Sequence, residues 1–249
     1  MKIIISPAKK MKNYDGFPLI GSEPLFFKES YKILHEIIKL NFNNLKKILK
    51  CNDKIAREAF ENYHSFEKQL SWTAITFFNG IQYNYMNSKV FTDEEYDFLQ
   101  KHVFILSPFY GLIRPLDRIK PYRLEMESDL IVENKNLYEF WSEKITNTIF
   151  NENDILINLA SDEYSRVVKK TSNKMIINIY FYERESERLI QKAVYCKMAR
   201  GMMVRYIVEN RIDNHQDIKK FNLAGYLFNK ELSNDNNYIF IRDNMIKHD

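Results

Sequence analysis

An apolar run of strand length, Val103–Leu106, leads into a segment that regular structure cannot continue. The sequence ILSPFYGLIRPLDRIKPYRLEM, Ile105–Met126, breaks at Ser107-Pro108, turns at Gly111 and breaks again at Pro115 and Pro121. Each proline fixes φ, removes a backbone donor and pushes the preceding residue out of the helical region. The chain must therefore end a strand here and hold a long, stiff loop against its core. That loop carries Tyr110, Arg114, Asp117, Arg118, Lys120, Tyr122, Arg123 and Glu125. Four cations, two carboxylates and two phenols on a rigid scaffold suit an anionic, ring-containing ligand, a nucleotide or a nucleic acid.

The rest of the 249 residues can supply the core, being 45% hydrophobic with eighteen Phe and sixteen Tyr, which excludes a disordered chain. Glycine numbers only six, and neither GxGxxG nor GxxxxGK[ST] occurs, so no glycine-rich phosphate loop is expected. A net charge of +4 permits nucleic-acid binding without requiring it, so local clustering has to carry any such claim. Cys51 and Cys196 are too few for a disulfide framework. No apolar run approaches the roughly 18 residues of a bilayer span, and no long apolar leader opens the chain. The expectation is a soluble, cytoplasmic protein that does not engage membranes. The five histidines are scattered, and His35-Glu36 lacks the second histidine of HExxH. No metal site and no cofactor are read.

In chain order, Lys2–Ile5 reads as a central strand ending at Ser6-Pro7-Ala8-Lys9-Lys10, where Lys9, Lys10 and Lys12 are either a phosphate contact or a solvated loop. Glu29–Leu40 is a helix with Ile33, Leu34, Ile37 and Ile38 on one face. Asn44–Tyr63 holds two short helices about a break at Cys51-Asn52-Asp53, the second capped by Asn52 or Asp53. Lys39–Arg57 contains six basic residues and one acid. Lys46, Lys47, Lys50, Lys54 and Arg57 are either a phosphate-binding surface or an ordinary solvated face. Thr73–Met86 is partly helical around Phe77 and Phe78, and Thr92-Asp93-Glu94-Glu95 opens a helix to about His102. Leu137–Phe150 is an amphipathic helix. Asp154–Leu159 is a strand ending at Ser161-Asp162-Glu163-Tyr164. Lys174–Tyr182 and Glu187–Gln191 form a hairpin. Ala193–Glu209 is a helix with Met198, Met202 and Tyr206 inward and Lys197 and Arg200 one turn apart, able to face a cleft. Short strands follow near Tyr226–Phe228 and Tyr238–Ile241. The expected fold is α+β (mixed α/β), one domain over residues 1–249. It has a central mixed sheet flanked by helices and a helical insertion at about 28–70, its helix pair at about 44–63. Ligands bind at the carboxyl ends of strands in such sheets, so Ser6–Lys9, Tyr110–Glu125 and Ser161–Tyr164 are expected to converge.

The segment SPFYGLIRPLDRIKPYRLEM resembles the YaaA family of peroxide-stress proteins. IISPAKKM at Ile4–Met11, FNG at Phe78–Gly80, LYEFW at Leu137–Trp141, INLASDEYS at Ile157–Ser165, ARGMM at Ala199–Met203, ENR at Glu209–Arg211 and FNLAGYLF at Phe221–Phe228 match in the same order. The resemblance covers essentially the whole chain. It implies a helix-hairpin-helix-like character for the pair at 44–63, although no glycine lies in that hairpin. It also implies a role in binding DNA, duplex or distorted, and in lowering oxidative injury, with any effect on iron indirect. Ser6, Lys9, Gly80 and Tyr83 fall in the shared motifs, and Tyr83 is either a pocket wall or core.

Two chemistries remain open from the residues. One is DNA binding. The other is an enzyme acting on a nucleotide or nucleobase by glycosidic-bond cleavage or exchange. In it Glu125, Asp162 or Glu163 serves as base, Arg114 or Arg123 holds phosphate, and Tyr110 or Tyr164 stacks on a base. The competing reading makes Arg123–Glu125 and Asp162–Arg114 buried ion pairs that fix the loops. Ser6-x-x-Lys9, Ser161-Asp162-Glu163 and Lys170-Thr171-Ser172 only superficially suggest the penicillin-binding set, because Ser6 lies at a strand end beside proline.

Overall fold

The computed structural model describes residues 1–13, 21–151, 153–168 and 174–243. The tempting Lys170–Ser172 triplet lies outside them. Ile3, Ile4 and Ile5 are at most 1% exposed, so the first strand is covered on both faces. Burying each such side chain is worth about 1.5–3 kcal/mol. That strand, β1 (Lys2–Ile5), is the centre of an eight-stranded mixed sheet. The others are β2 (Val103–Ser107), β3 (Gly111–Ile113), β4 (Ile155–Leu159), β5 (Met175–Glu185), β6 (Arg188–Ile190), β7 (Tyr226–Phe228) and β8 (Asn237–Asp243). Their order is β7-β8-β5-β4-β1-β2-β3, with β6 paired to β5 as a hairpin. β2, β1, β4, β5 and β8 run parallel, while β3, β6 and β7 are antiparallel additions. The carboxyl ends of β1, β2 and β4 thus lie side by side, at Ser6, Ser107 and Ser161.

Among the described residues six longer helices accompany the sheet: α1 (Phe27–Ile38), α2 (Phe42–Leu49), α3 (Asp53–His64), α4 (Asp93–His102), α5 (Leu137–Phe150) and α6 (Ala193–Glu209). Asn52 caps α3, its side chain accepting from the Ile55 N–H at 3.0 Å. Thr92 and Glu95 close a reciprocal capping box on α4. The turn between α2 and α3 is made at Lys50, whose φ of +46° is left-handed. A lysine stands where glycine would carry no strain. Leu45, Leu49 and Tyr63 of the pair belong to the same core as the sheet. No helix among the described residues is long and apolar enough to cross a membrane.

One sequence expectation about a helix face needs correction: Ile38 is 41% exposed, because α1 ends there and only Ile33, Leu34 and Ile37 reach the core. On α6, Met202 and Tyr206 pack against the core, half-buried, and the fully buried side is Ala199, Met203, Val204, Ile207 and Val208. Gly201 sets that orientation. A Cβ there would lie 2.2 Å from the Gln82 carbonyl, so α6 is pressed against the short helix Ile81–Met86 at glycine.

The loop after β2 is anchored by an aromatic seat. Trp141 of α5 is fully buried and its indole N–H donates to the Pro108 carbonyl at 2.8 Å. Gly111, at φ +72°, lies against the same ring, and an added Cβ would sit 2.6 Å from it. Gly111→Ala is therefore expected to cost about 2–4 kcal/mol, from positive-φ strain plus overpacking. Urea unfolding monitored by circular dichroism measures this. A loss under 1 kcal/mol would show that the loop is not seated on Trp141.

Candidate functional site

The carboxyl ends of β1 and β4 are stitched together. The Ser161 N–H donates to Ser6 Oγ at 2.8 Å, and the Ser6 hydroxyl lies 3.3 Å from Ser161 Oγ. Tyr83 donates its hydroxyl to the Ser6 carbonyl at 2.9 Å. From the third segment, Arg123 donates to the Lys9 carbonyl at 3.1 Å and to Glu125 Oε1 at 2.7 Å. Lys9 Nζ reaches the same carboxylate oxygen at 2.9 Å. Glu163 Oε1 accepts from the Met126 N–H at 3.2 Å. Ser6, Lys9, Tyr83, Arg123, Glu125, Ser161 and Glu163 thus meet, from four distant stretches of chain.

Beside them runs a groove of about 530 Å³. Exposed Lys9, Lys10 and Lys12, with Arg123, form one wall. Ile55, Glu58, Ala59 and Asn62 of α3 form the other. A second recess of about 400 Å³ shares Lys12, Asn13 and Asn79 with it and extends past Tyr83 to Asn84 and Asn87. The link between α3 and the loop is Tyr63. Its hydroxyl donates to the Arg123 carbonyl at 2.7 Å and accepts from the Arg123 N–H at 3.2 Å.

The carboxylates of the cleft differ. One oxygen of Glu125 is shared by Lys9 and Arg123. Glu163 is half-buried, and burial pushes its pKa up, against the opposing pull of Lys9 and the Met126 N–H. Asp162 is exposed, and its charge is felt by Arg200 and Tyr180. Arg123 Nε is fully buried without a hydrogen-bond partner.

Other sequence candidates lie elsewhere. Tyr110 is fully buried, and its hydroxyl accepts from the Lys120 N–H at 3.0 Å. It packs edge-on to Phe109 and Tyr122 and has no free face for a base. Tyr122 is only 7% exposed and accepts from Ser107 Oγ at 2.9 Å, while its edge borders the groove. Tyr164 is also buried. Arg114 does not pair with Asp162. It binds Asp117, whose carboxylate is fully buried and also accepts from Ser22 Oγ at 2.6 Å and the Arg114 N–H at 2.8 Å. Arg114 and Asp117 pin the segment Gly21–Glu23, a packing task invisible in sequence because the partners are some ninety residues apart. Lys197 stays exposed on α6, whereas Arg200 is partly buried.

The helix-pair cations also divide. Lys46 pairs with Asp53, and Lys50 with Asp129 at 3.3 Å. The Arg57 guanidinium sits over Phe42 at 5.2 Å. Lys47 and Lys54 are exposed, with no ion pair among the described residues. The lysines that follow the first strand, Lys9, Lys10 and Lys12, which the sequence leaves open between a phosphate contact and a solvated loop, are exposed and line the groove.

Residues 1–232 match the family model described as peroxide stress protein YaaA. A UPF0246 protein of Agathobacter rectalis is 42% identical over 247 residues, covering 97% of this chain and 99% of that one. A UPF0246 protein of Desulfitobacterium hafniense is 40% identical, covering 97% and 98%. One of Lachnoclostridium phytofermentans is 38% identical, covering 97% and 96%. With its strand-end cleft, lysine-walled groove and near full-length likeness to these relatives, the chain belongs to the peroxide stress protein YaaA family.

Proposed function

We propose that this protein binds DNA, duplex or distorted, during the response to peroxide and thereby limits oxidative damage to it. The observation that supports this is the groove of about 530 Å³ walled by Lys9, Lys10, Lys12 and Arg123 on one side and by α3 on the other. Lys54 stands one turn before Glu58 on α3, so the lysine surface of the helix pair continues from the groove's lip. Because Lys46 and Lys50 are engaged by carboxylates, the cations left to meet phosphates are Lys10, Lys12, Lys47 and Lys54. Such contacts release condensed counterions, so affinity falls steeply with salt. Work on DNA also fits the cytoplasmic location expected from sequence.

A second reading rests on the inequality of the two glutamates. Two cations hold Glu125, while Glu163 is half-buried with its pKa raised. A carboxyl whose pKa burial raises takes up a proton more readily than a free one, which suits it to carrying a proton. Water activated by Glu163 beside an anion held at Arg123 is the arrangement for cleaving or exchanging a glycosidic bond of a nucleotide or nucleobase.

The DNA reading is tested by fluorescence anisotropy of labelled duplex and bubble DNA with the variant Lys10→Gln/Lys12→Gln/Lys47→Gln/Lys54→Gln. The log-log salt slope is expected to fall by about 0.9 for each phosphate contact removed, about 3–4 in all. A variant that binds both DNAs within twofold of wild type ends this reading.

Glu163 is tested separately through pH. Its folded-state pKa is raised, so the native protein binds more protons than the unfolded chain over the window above the ordinary carboxyl range. The stability it contributes is fully present below the unfolded pKa and is lost as pH rises through the folded pKa. Glu163→Gln is expected to lessen the fall in stability as pH rises above the ordinary carboxyl range. It should also remove an elevated carboxyl titration from the ¹³C NMR spectrum, while leaving DNA affinity within twofold. A Glu163 midpoint at or below the ordinary carboxyl range would sink the proton-carrier role.

A further inference from the structure

The recess of about 400 Å³ that opens beside the lysine-walled groove is lined by Lys12, Lys89, Asn79, Asn84 and Asn87. Among the described residues no carboxylate lines it, so the charge it presents is positive. Several asparagines elsewhere in the chain hold structure: Asn41, Asn52 and Asn136 cap helices, and Asn158 bonds Asn178 at 2.9 Å. Among the described residues the carboxamides of Asn79, Asn84 and Asn87 make no hydrogen bond within the protein. Each keeps two donors and an acceptor for a partner from outside.

The frame that carries them is fixed by backbone bonds. Lys10 pairs with Asn79 and Met11 with Phe78 in a short antiparallel ribbon, and the Lys12 N–H donates to the Phe77 carbonyl at 2.9 Å. Asn84 lies on the helix Ile81–Met86, and Asn87 ends that helix at a left-handed φ of +49°, its N–H donating to the Tyr83 carbonyl at 2.9 Å. The Tyr83 hydroxyl ties the same helix to the Ser6 carbonyl at the end of β1. Lys12, Asn13 and Asn79 belong to the recess and to the groove alike, so a phosphate backbone followed along the groove arrives at the mouth of the recess.

On the reading of the groove as a DNA surface, we propose that the recess receives one nucleotide displaced from the double helix, and that the protein therefore prefers DNA with an unpaired nucleotide to intact duplex. Lys12 meets a backbone phosphate at the shared lip, and the carboxamides of Asn84 and Asn87 meet the donors and acceptors on the edge of the displaced base. The recess is the size of a small-molecule site, about 300–1000 Å³, and has no room for a duplex. A base that is already unpaired reaches it without the cost of breaking a pair and a stack.

Fluorescence anisotropy tests this with a labelled intact duplex and the same duplex carrying a single bulged 2-aminopurine, whose own emission rises as it leaves the stack. Wild type is expected to bind the bulged duplex at least tenfold more tightly than the intact one and to raise the 2-aminopurine emission. Asn84→Ala/Asn87→Gly should lose most of that preference and of the emission change, with its affinity for intact duplex within twofold of wild type. Glycine takes the left-handed backbone of Asn87 without strain, so this variant should melt with wild type. Asn84→Asp, of the same shape but negatively charged, should weaken the bulged duplex more than the intact one. Equal affinity of wild type for the two duplexes, within twofold, overturns the recess as a nucleotide site and leaves the groove reading standing. So does a preference kept in full by the double variant, or by Asn84→Asp should the double variant not fold. Parallel loss of both affinities in the double variant would assign its asparagines to the groove and overturn the recess as well. Binding of neither duplex by wild type overturns the recess and the groove reading together.

Discussion

The cleft depends on phenol hydroxyls that hold an irregular backbone in place. A loop broken by three prolines cannot satisfy its own amides and carbonyls, and water is excluded beneath it. Tyr63 therefore bonds both the N–H and the carbonyl of Arg123. Tyr110 accepts the Lys120 N–H, and Tyr122 takes the hydroxyl of Ser107, which itself accepts the Tyr110 N–H. Each bond is worth about 1 kcal/mol net, but leaving such a group unmet when buried costs about 1–3 kcal/mol. The rings are packed on one another, Phe109 stacking on Tyr122 at 5.4 Å, so the hydroxyls have little freedom. Burial raises the pKa of all three phenols, which keeps them protonated and able to donate. Arg123 is consequently aimed by core tyrosines from two distant parts of the chain.

That wiring explains which features could be read from the sequence. The strands were legible because Ile3–Ile5 and Val103–Leu106 are continuous apolar runs, the pattern of strands covered on both faces. The caps at Asn52 and Thr92 were legible because they act within three residues. The convergence of Ser6, Arg123–Glu125 and Ser161–Glu163 followed from the rule for strand ends in parallel sheets. The role of Tyr110 was not legible. A phenol beside arginines looks the same on paper whether its ring faces a ligand or its hydroxyl faces an amide ten residues on. Arg114 and Asp117 were opaque for the same reason, since their task is to hold Gly21–Glu23.

The lysines are sorted by a similar logic. Composition counted six cations between Lys39 and Arg57, but only tertiary structure brings Asp129 to Lys50. Exposed pairs of this kind are worth only about 0–1 kcal/mol to the fold, yet they reduce the local field available to a polyanion. Lys10 and Lys12, unremarkable by count, gain importance by lining a concave wall opposite α3, where low-dielectric surroundings concentrate the field.

The backbone of the loop is met more completely than the side chains around it. Lys120 Nζ reaches the Phe66 carbonyl at 2.8 Å, and Trp141 reaches that of Pro108. Four side-chain atoms among the described residues stay enclosed and unmet: Arg123 Nε in the loop, Gln69 Oε1 beside it, and Gln82 Nε2 and Arg200 Nε on two packed helices. Buried polar groups without a partner are few in a native fold, and each one carries a local cost that water or a ligand can remove. The glutamates fit the same division. Glu125 closes the wiring by joining Lys9 to Arg123, whereas Glu163, which accepts from the Met126 N–H, forms no ion pair among the described residues.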